Sequence, residues 1–495
     1  MQTQYKSSWE SVKTHPLPDW YDDCKLGIFL HWGLFSVPGW APQVANIQDL
    51  LKTEGPKGML KNNPYAEWYM NTMQIEGSPT QIHHIKTYGE NFAYDDFVPM
   101  FDKGSAKANL DNIAKLCKDA GAGYVVLTTK HHEGFALWPT AVAHPRKGAN
   151  YHAKRDLVGD MAKSVRSHGM HMGLYYSGGY DWPYNHAVMK KPADVTLAAP
   201  VTDEYRQDAT SQVRELIDRY KPSVLWNDVS WPPGGNLAEL FAYYYNHVSD
   251  GVINDRWLEP SAKRGLIKVT TMRLLGSLAQ LAWRFIPEKS KSLTFPAAHW
   301  FDFRTPEYQV FDKIQAKKWE ATRGVGHSFG ANRNERPEDI VTAAELVRML
   351  VDVVSKNGNL LIGIGPDENG VIPEEQQRPL KGLAEWMKIN GLAIRGSRPW
   401  NVASTTTDEG GEVRFVQNSG RVYMFLLDPP GKRSLTIKGL AANSVKNVKL
   451  LGSEASVKLG EDNGSLAITL PEKIPLEAAL TLDIGANARL LGKGV

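Results

Sequence analysis

The feature that most constrains this chain is a change of hydrophobic period that repeats between residues 25 and 365. Short apolar runs alternate with stretches whose apolar residues recur every three to four positions. Strands joined by helices in this way pair in parallel, because a helix must carry the chain back to the start of the next strand. Eight runs have strand character, near residues 26, 124, 172, 223, 252, 299, 326 and 359. They read KLGIFLHWG, GYVVLTTKHHEGFALWP, HMGLYYS, SVLWND, GVINDRW, HWFDFRTPEYQ, GVGHSFG and NLLIGIGP. Helices are predicted over 105–120, 156–168 and 236–247, ahead of Lys221, and through Val347, Leu350, Val351 and Val354. Eight such units predict an α/β fold, a (β/α)8-like (TIM) barrel rather than an open sheet. The crossovers at 177–203 and 306–325 are the weakest, so some helices are expected to be missing.

Two stretches break the rhythm. Residues 258–297 hold LLGSLAQLAWRF, helical in period and more apolar than a free loop, and are read as an insertion covering a surface. A neighbouring subunit would supply one, so a homo-oligomer is expected. From about Ser397 the helical stripes stop, and EVRFVQ, RVYMFLL, SLTIKG and SVKNVKLL are separated by Gly, Asp and Asn turns. That pattern predicts a C-terminal antiparallel β-sandwich, dividing the chain into a catalytic barrel at 1–396 and a sandwich at 397–495.

Composition narrows the function. A net charge of +3 with no basic run argues against nucleic acid as a partner. No apolar run approaches membrane-spanning length, and MQTQYKSSWESVKTH lacks the apolar segment of a signal peptide, so a cytoplasmic protein is expected. Cys24 and Cys117 are read as reduced, buried thiols.

Chemistry concentrates at the predicted C-terminal ends of the strands, the rim where barrel enzymes work. Asp228 follows the strand SVLWN with a Trp on either side, flat walls of the kind a sugar pocket needs. The other rim candidates are the carboxylates Glu67 and Glu307, the histidines His31, His131 and His132, and Arg256. Cleaving a glycosidic bond takes two carboxyl groups, one to protonate the leaving oxygen and one to attack or to activate water. His131 and His132 beside Glu133 could bind a metal. Adjacent strand residues point to opposite faces, however, and no HxH or HExxH spacing accompanies them, so neither metal nor cofactor is expected.

The runs GIFLHWGLFSVPGW, EWY, VVLTTKHHEGFALWP, GLYYSGGYDW, VLWNDVSWP, NDRW, FRTPEYQ, TRGVGHSFG and LVDVVSKNGNLLIGIGP occur in one order from about Asp19 to Trp400. In this the chain resembles the retaining α-L-fucosidases of glycoside hydrolase family 29. The resemblance implies hydrolysis of terminal α-L-fucosyl linkages on oligosaccharides or glycoconjugates by double displacement, with transfucosylation open to the same intermediate. It makes Asp228 the nucleophile and Glu307 the general acid/base. It makes His31, Glu67, Trp68, His131, His132, Tyr176, Trp226, Arg256 and Phe329 substrate-binding. Glu67 is the alternative proton donor. A fucose-binding protein without turnover and a metal-dependent barrel hydrolase are the competing functions.

Overall fold

A computed structural model describes residues 4–185, 187–261, 266–287, 291, 297–428, 430–474 and 478–491. Seven strands form one sheet: β1 (Leu26–Leu30), β2 (Tyr124–Lys130), β3 (His171–Tyr176), β4 (Val224–Asn227), β5 (Val252–Ile253), β6 (Trp319–Gly324) and β7 (Gly358–Ile364). Their order is β5-β4-β3-β2-β1-β7-β6, and every pairing is parallel. Between them run α1 (Leu110–Asp119), α2 (Leu157–Ser167), α3 (Asp203–Tyr220), α4 (Leu237–His247), α5 (Leu266–Ala282) and α6 (Ala343–Ser355), and α7 (Glu374–Ile394) follows β7. The caps are local: Asn109, Asp156, Thr202, Asn236 and Thr342 each accept a first-turn amide.

Two sequence expectations need correction. The run near 299 is not a regular strand, and the strand expected near 326 lies upstream at 319–324. Glu320 and Thr322 put polar side chains on the inner face of β6, which hid its period. Residues 298–308 instead close the curled sheet irregularly. The Asp302 amide donates to the Ile253 carbonyl of β5 at 3.0 Å, and the Glu320 amide of β6 donates to the Arg304 carbonyl at 2.7 Å. Isolated parallel bridges join Arg304 to Trp319 and Glu307 to Thr322. Pro306 has no amide hydrogen and Tyr308 sits at φ 51°, so a continuous ladder cannot pass through them. Among the described residues, 298–318 contains no helix, in keeping with the weak crossover there.

Alternation along each strand makes two cores. Ile28, Val125, Leu174, Tyr176, Leu225 and Ile362 pack outward under the helices. Phe29, Val126, Tyr175, Trp226 and Leu361 fill the barrel interior with Tyr124, whose ring occupies the space where a Cβ on Gly27 would sit only 2.4 Å away.

The insertion is a helix that docks on its own chain. Gly276 of α5 meets Ala193 in the helix Pro192–Leu197, and the Trp283 indole donates to the Leu51 carbonyl of the helix Ile47–Lys61 at 3.0 Å. Leu274, Leu275, Leu278 and Phe285 remain exposed. Beyond α7, strands Arg398–Thr406, Glu412–Asn418, Arg421–Leu426, Lys449–Leu450 and Leu480–Gly485 form one antiparallel sheet. Ser434–Ala441, Lys458–Asp462 and Ser465–Thr469 form a second. The Trp386 indole of α7 donates to the Ala479 carbonyl, seating this region against the barrel's helices. Among the described residues no helix is long and apolar enough to cross a membrane. Cys24 and Cys117 are free thiols, half-buried and buried.

Candidate active site

The site forms where β4 ends. Asp228 is the first residue past the strand, and the chain turns at once: Val229 takes φ 66°, a conformation β-branched residues rarely hold. Such strain costs about 1–3 kcal/mol and persists only where neighbours enforce it. Here the Gly179 amide donates to the Asp228 carbonyl at 3.1 Å, and the backbone of Gly179 lies so close that a Cβ there would sit 2.5 Å from Val229. The turn aims the Asp228 carboxylate inward, where its side chain is 13 % exposed. Oδ1 accepts from the Val229 amide and from an Arg256 guanidinium nitrogen, both at 2.8 Å. Oδ2 accepts from the Tyr175 hydroxyl at 2.8 Å.

Arg256 comes from the irregular end beyond β5, and it faces a second carboxylate as well. Its other terminal nitrogen donates to Glu307 Oε2 at 2.9 Å, while its Nε is held by the Thr305 hydroxyl at 3.1 Å. The guanidinium lies 4.8 Å from the Trp226 ring, so its face is apolar and its edge is ionic. Burial works against the Arg256 charge, but the Glu307 and Asp228 carboxylates outweigh it and push its pKa above the ordinary value. Glu307 Oε1 accepts from the Tyr65 hydroxyl at 2.7 Å. The Gln48 amide, on the helix beneath the insertion, donates to the Glu307 carbonyl at 3.1 Å. Two carboxylates on one guanidinium, with a Trp as floor, can attack a carbon from one side and move a proton on another.

Aromatic rings and histidines surround this pair. Phe329 packs on His31 at 4.8 Å and edge-on to Tyr65 at 5.5 Å. Trp68 stands edge-on to His132 at 5.7 Å. His132 Nδ1 contacts the Ser177 hydroxyl at 2.7 Å, and its Nε2 is 3.8 Å from Asp228 Oδ2. Burial, then the neighbouring His131 and Lys130, hold the His132 pKa well below the usual imidazole value. Burial and His131 do the same to His31. Glu67 is buried, accepting from the Ser328 hydroxyl at 3.1 Å and the Gly330 amide at 3.0 Å, and burial raises its pKa.

Ten of the eleven residues read from the sequence therefore gather in one connected region. Tyr176 does not. Its hydroxyl donates to Gln212 of α3 at 2.8 Å, in the outer core, and Tyr175 takes the inward position because consecutive strand residues face opposite ways. The expectation that His131 and His132 diverge is also overturned. β2 ends at Lys130, strand alternation stops there, and the two rings lie 3.9 Å apart. Sequence reasoning missed Tyr65, Tyr175, Ser177 and Thr305. Tyr65 was within sight, two positions before Glu67, whereas Ser177 and Thr305 carry no signal of their own.

Known proteins resemble this chain over nearly its whole length. A family model described as alpha-L-fucosidase matches residues 1–392, and one for the alpha-L-fucosidase C-terminal domain matches 406–485. An alpha-L-fucosidase of Dictyostelium discoideum is 31% identical, with 95% of this chain and 92% of that protein covered. The crystal structure of Thermotoga maritima alpha-fucosidase in complex with a mechanism-based inhibitor is 38% identical, with a TM-score of 0.80 over 97% of this chain and 100% of that one. A T. maritima alpha-L-fucosynthase structure, also 38% identical, superposes with a TM-score of 0.82 over 97% of this chain and 99% of that one. The chain belongs to the α-L-fucosidase family, glycoside hydrolase family 29.

Proposed function

We propose that this family member is a retaining exo-α-L-fucosidase in which Asp228 is the nucleophile and Glu307 the general acid/base. The observation that carries the reading is the Arg256 bridge, which holds both carboxylates at 2.8 and 2.9 Å from one side chain. Asp228 Oδ2, with one donor against two on Oδ1, attacks the anomeric carbon as the C1–O bond breaks and Glu307 protonates the departing oxygen. A covalent fucosyl ester results. Water then gives its proton to Glu307 and attacks C1, releasing fucose and restoring the Asp228 carboxylate and the Glu307 carboxylic acid. An acceptor hydroxyl in place of water gives transfucosylation. Fucosylated oligosaccharides or glycoconjugates are the proposed substrates. His31, His131 and His132 offer hydrogen bonds to ring hydroxyls, with Glu67 beside them. Trp68, Trp226 and Phe329 offer flat apolar surface to the sugar, including its C5 methyl.

Glu67 is the weaker proton donor, because its bonds to Ser328 and Gly330 tie it away from the Arg256 bridge. A protein that only binds fucose needs no pair of carboxylates sharing one cation. Trapping with a 2-fluorinated fucosyl donor, followed by peptide mass spectrometry, tests the reading. The label is expected on the peptide holding Asp228, and a label elsewhere refutes it. Glu307→Gln is expected to slow fucosides with sugar leaving groups roughly 10²- to 10⁴-fold, and nitrophenyl fucosides far less, since a good leaving group needs no proton.

Two thiols left unpaired fit a reducing compartment, and on that ground a cytoplasmic location is proposed. A homo-oligomer is proposed on the exposed apolar residues of α5, to be read by sedimentation velocity.

A further inference from the structure

The imidazole of His132 reaches the sugar in one of two ways, as a hydrogen-bond donor or as an acceptor, and its other nitrogen decides which. His132 Nδ1 lies 2.7 Å from Ser177 Oγ. That hydroxyl has one hydrogen, and it is committed elsewhere: Ser177 Oγ is 2.8 Å from the Tyr180 carbonyl, which can only accept. Ser177 therefore has only a lone pair to offer His132, and Nδ1 must supply the hydrogen. We propose that Ser177 is a positioning residue that locks His132 in the Nδ1–H tautomer, presenting a bare Nε2 to the substrate as an acceptor.

The surroundings leave this arrangement little freedom. Ser177 is fully buried, and its backbone is pinned from both sides. Its amide donates to the Lys130 carbonyl at 3.0 Å, and its carbonyl accepts from the Tyr205 hydroxyl at 3.2 Å. The Trp182 amide donates to the His132 carbonyl at 2.8 Å, so the loop bearing Tyr180 and the histidine move as one. Next to it, His131 Nδ1 lies 3.4 Å from the Glu133 carboxylate without a hydrogen bond to it. Of the two adjacent imidazoles, His132 is the one whose Nδ1 is held by a hydrogen bond.

Nε2 of His132 faces Asp228 Oδ2 across 3.8 Å. Two lone-pair acceptors face each other there, and what satisfies both is a donor placed between them. Given the reading of Asp228 as the attacking group, on which this inference rests, the donor can be named. The attacked carbon has two ring neighbours, the ring oxygen, which carries no hydrogen, and C2, which carries a hydroxyl. The 2-hydroxyl of fucose is therefore the group that His132 receives, beside the bond being made, where hydrogen bonds strengthen toward the transition state.

Ser177→Ala, assayed on a nitrophenyl α-L-fucoside and on its 2-deoxy analogue, tests this. The variant is expected to lose about tenfold in kcat/KM on the fucoside and little on the 2-deoxy substrate. Ser177→Cys fills nearly the same space with a weaker hydrogen-bonding group and should show the same substrate dependence. In nitrogen NMR, the Nε2 signal of His132 should be that of an unprotonated imidazole nitrogen in the parent enzyme, and should shift toward a mixture of tautomers in both variants. Equal losses on the two substrates, or a protonated Nε2 in the parent enzyme, overturn the assignment. Asp228→Ala run alongside separates the two claims. If it keeps turnover, the functional reading falls. If it is inactive while the Ser177 variants lose equally on both substrates, only the role of Ser177 falls.

Discussion

Asp228 and Glu307 at the barrel rim and Glu320 in the interior are the same chemical group given different partners. Glu320 lies on β6 beneath the site and is fully buried. Three neutral donors hold it: the Tyr21 hydroxyl at 2.9 Å, the Trp226 indole at 3.0 Å and the Tyr124 hydroxyl. With no cation in contact, burial wins and pushes its pKa up to about 7. The side chains of the rim carboxylates are 13 % and 8 % exposed, and each holds a direct contact to Arg256. The two regions differ less in burial than in partners, a shared guanidinium at the rim and neutral donors around Glu320. Trp226 joins the two regions, its indole nitrogen on Glu320 and its ring against Arg256.

The largest effect expected from this contrast is on turnover. Asp228→Ala should lower kcat by roughly 10⁴-fold or more on a nitrophenyl fucoside, whereas changes at Glu320 should act mainly on stability. An Asp228→Ala enzyme within tenfold of the parent would break the distinction between the two regions.

Arg256→Met comes next. Removing the cation strands two buried carboxylates, and the cost is expected to be about 3–5 kcal/mol in urea unfolding. Because Arg256 also lowers the Glu320 pKa, the variant should move that group further upward. An unfolding midpoint like the parent's would mean that the rim carboxylates do not depend on the cation.

Glu320 itself should leave a pH signature. Folded, it keeps its proton up to about 7, while the unfolded chain releases it near the ordinary value of 4.5. The folded state thus binds more protons between those values, and stability falls as pH rises through that window. The expected decline is about 3 kcal/mol. Comparing urea unfolding of the parent and Glu320→Gln at pH 5, 6 and 7 reads it directly, since the amide cannot ionise and should lack that part of the slope. Parallel curves would show that Glu320 is ionised throughout.

The smallest pair sharpens the geometry. Tyr175→Phe removes the hydroxyl on Asp228 Oδ2 and should cost about tenfold in kcat. Tyr176→Phe removes a bond to Gln212 on the other side of the sheet and should cost about 1 kcal/mol of stability with kcat unchanged. Reversed results would put the wrong tyrosine in the site.

Much of this molecule is written in local pattern. Helical stripes and apolar runs sufficed for α1 to α4, for α6, and for strands β1 to β5 and β7, because each such element must bury one face whatever its neighbours are. The candidate site residues were read through motif resemblance, and ten of eleven converge. The losses have definite causes. β6 carries Glu320 inward, so its polarity argues against a buried strand until Tyr21, Tyr124 and Trp226 are seen around it. The segment near 299 closes the barrel without being a strand, because Pro306 and Tyr308 interrupt the ladder. Tyr176 in place of Tyr175 is a one-residue slip, which on a strand exchanges the two faces.

By itself, then, the amino-acid order determined the alternating barrel, the separate C-terminal sheets and the candidate carboxylates of the rim, since periodicity and motif are properties of neighbouring residues. Only the tertiary structure decided which tyrosine touches Asp228, that one arginine serves both Asp228 and Glu307, and that Ser177 sits behind His132. Those partners are 53, 28 and 51, and 45 positions apart in the chain. Hydrogen-bond geometry between residues so distant is set by how the strands curl together, and no local pattern encodes it.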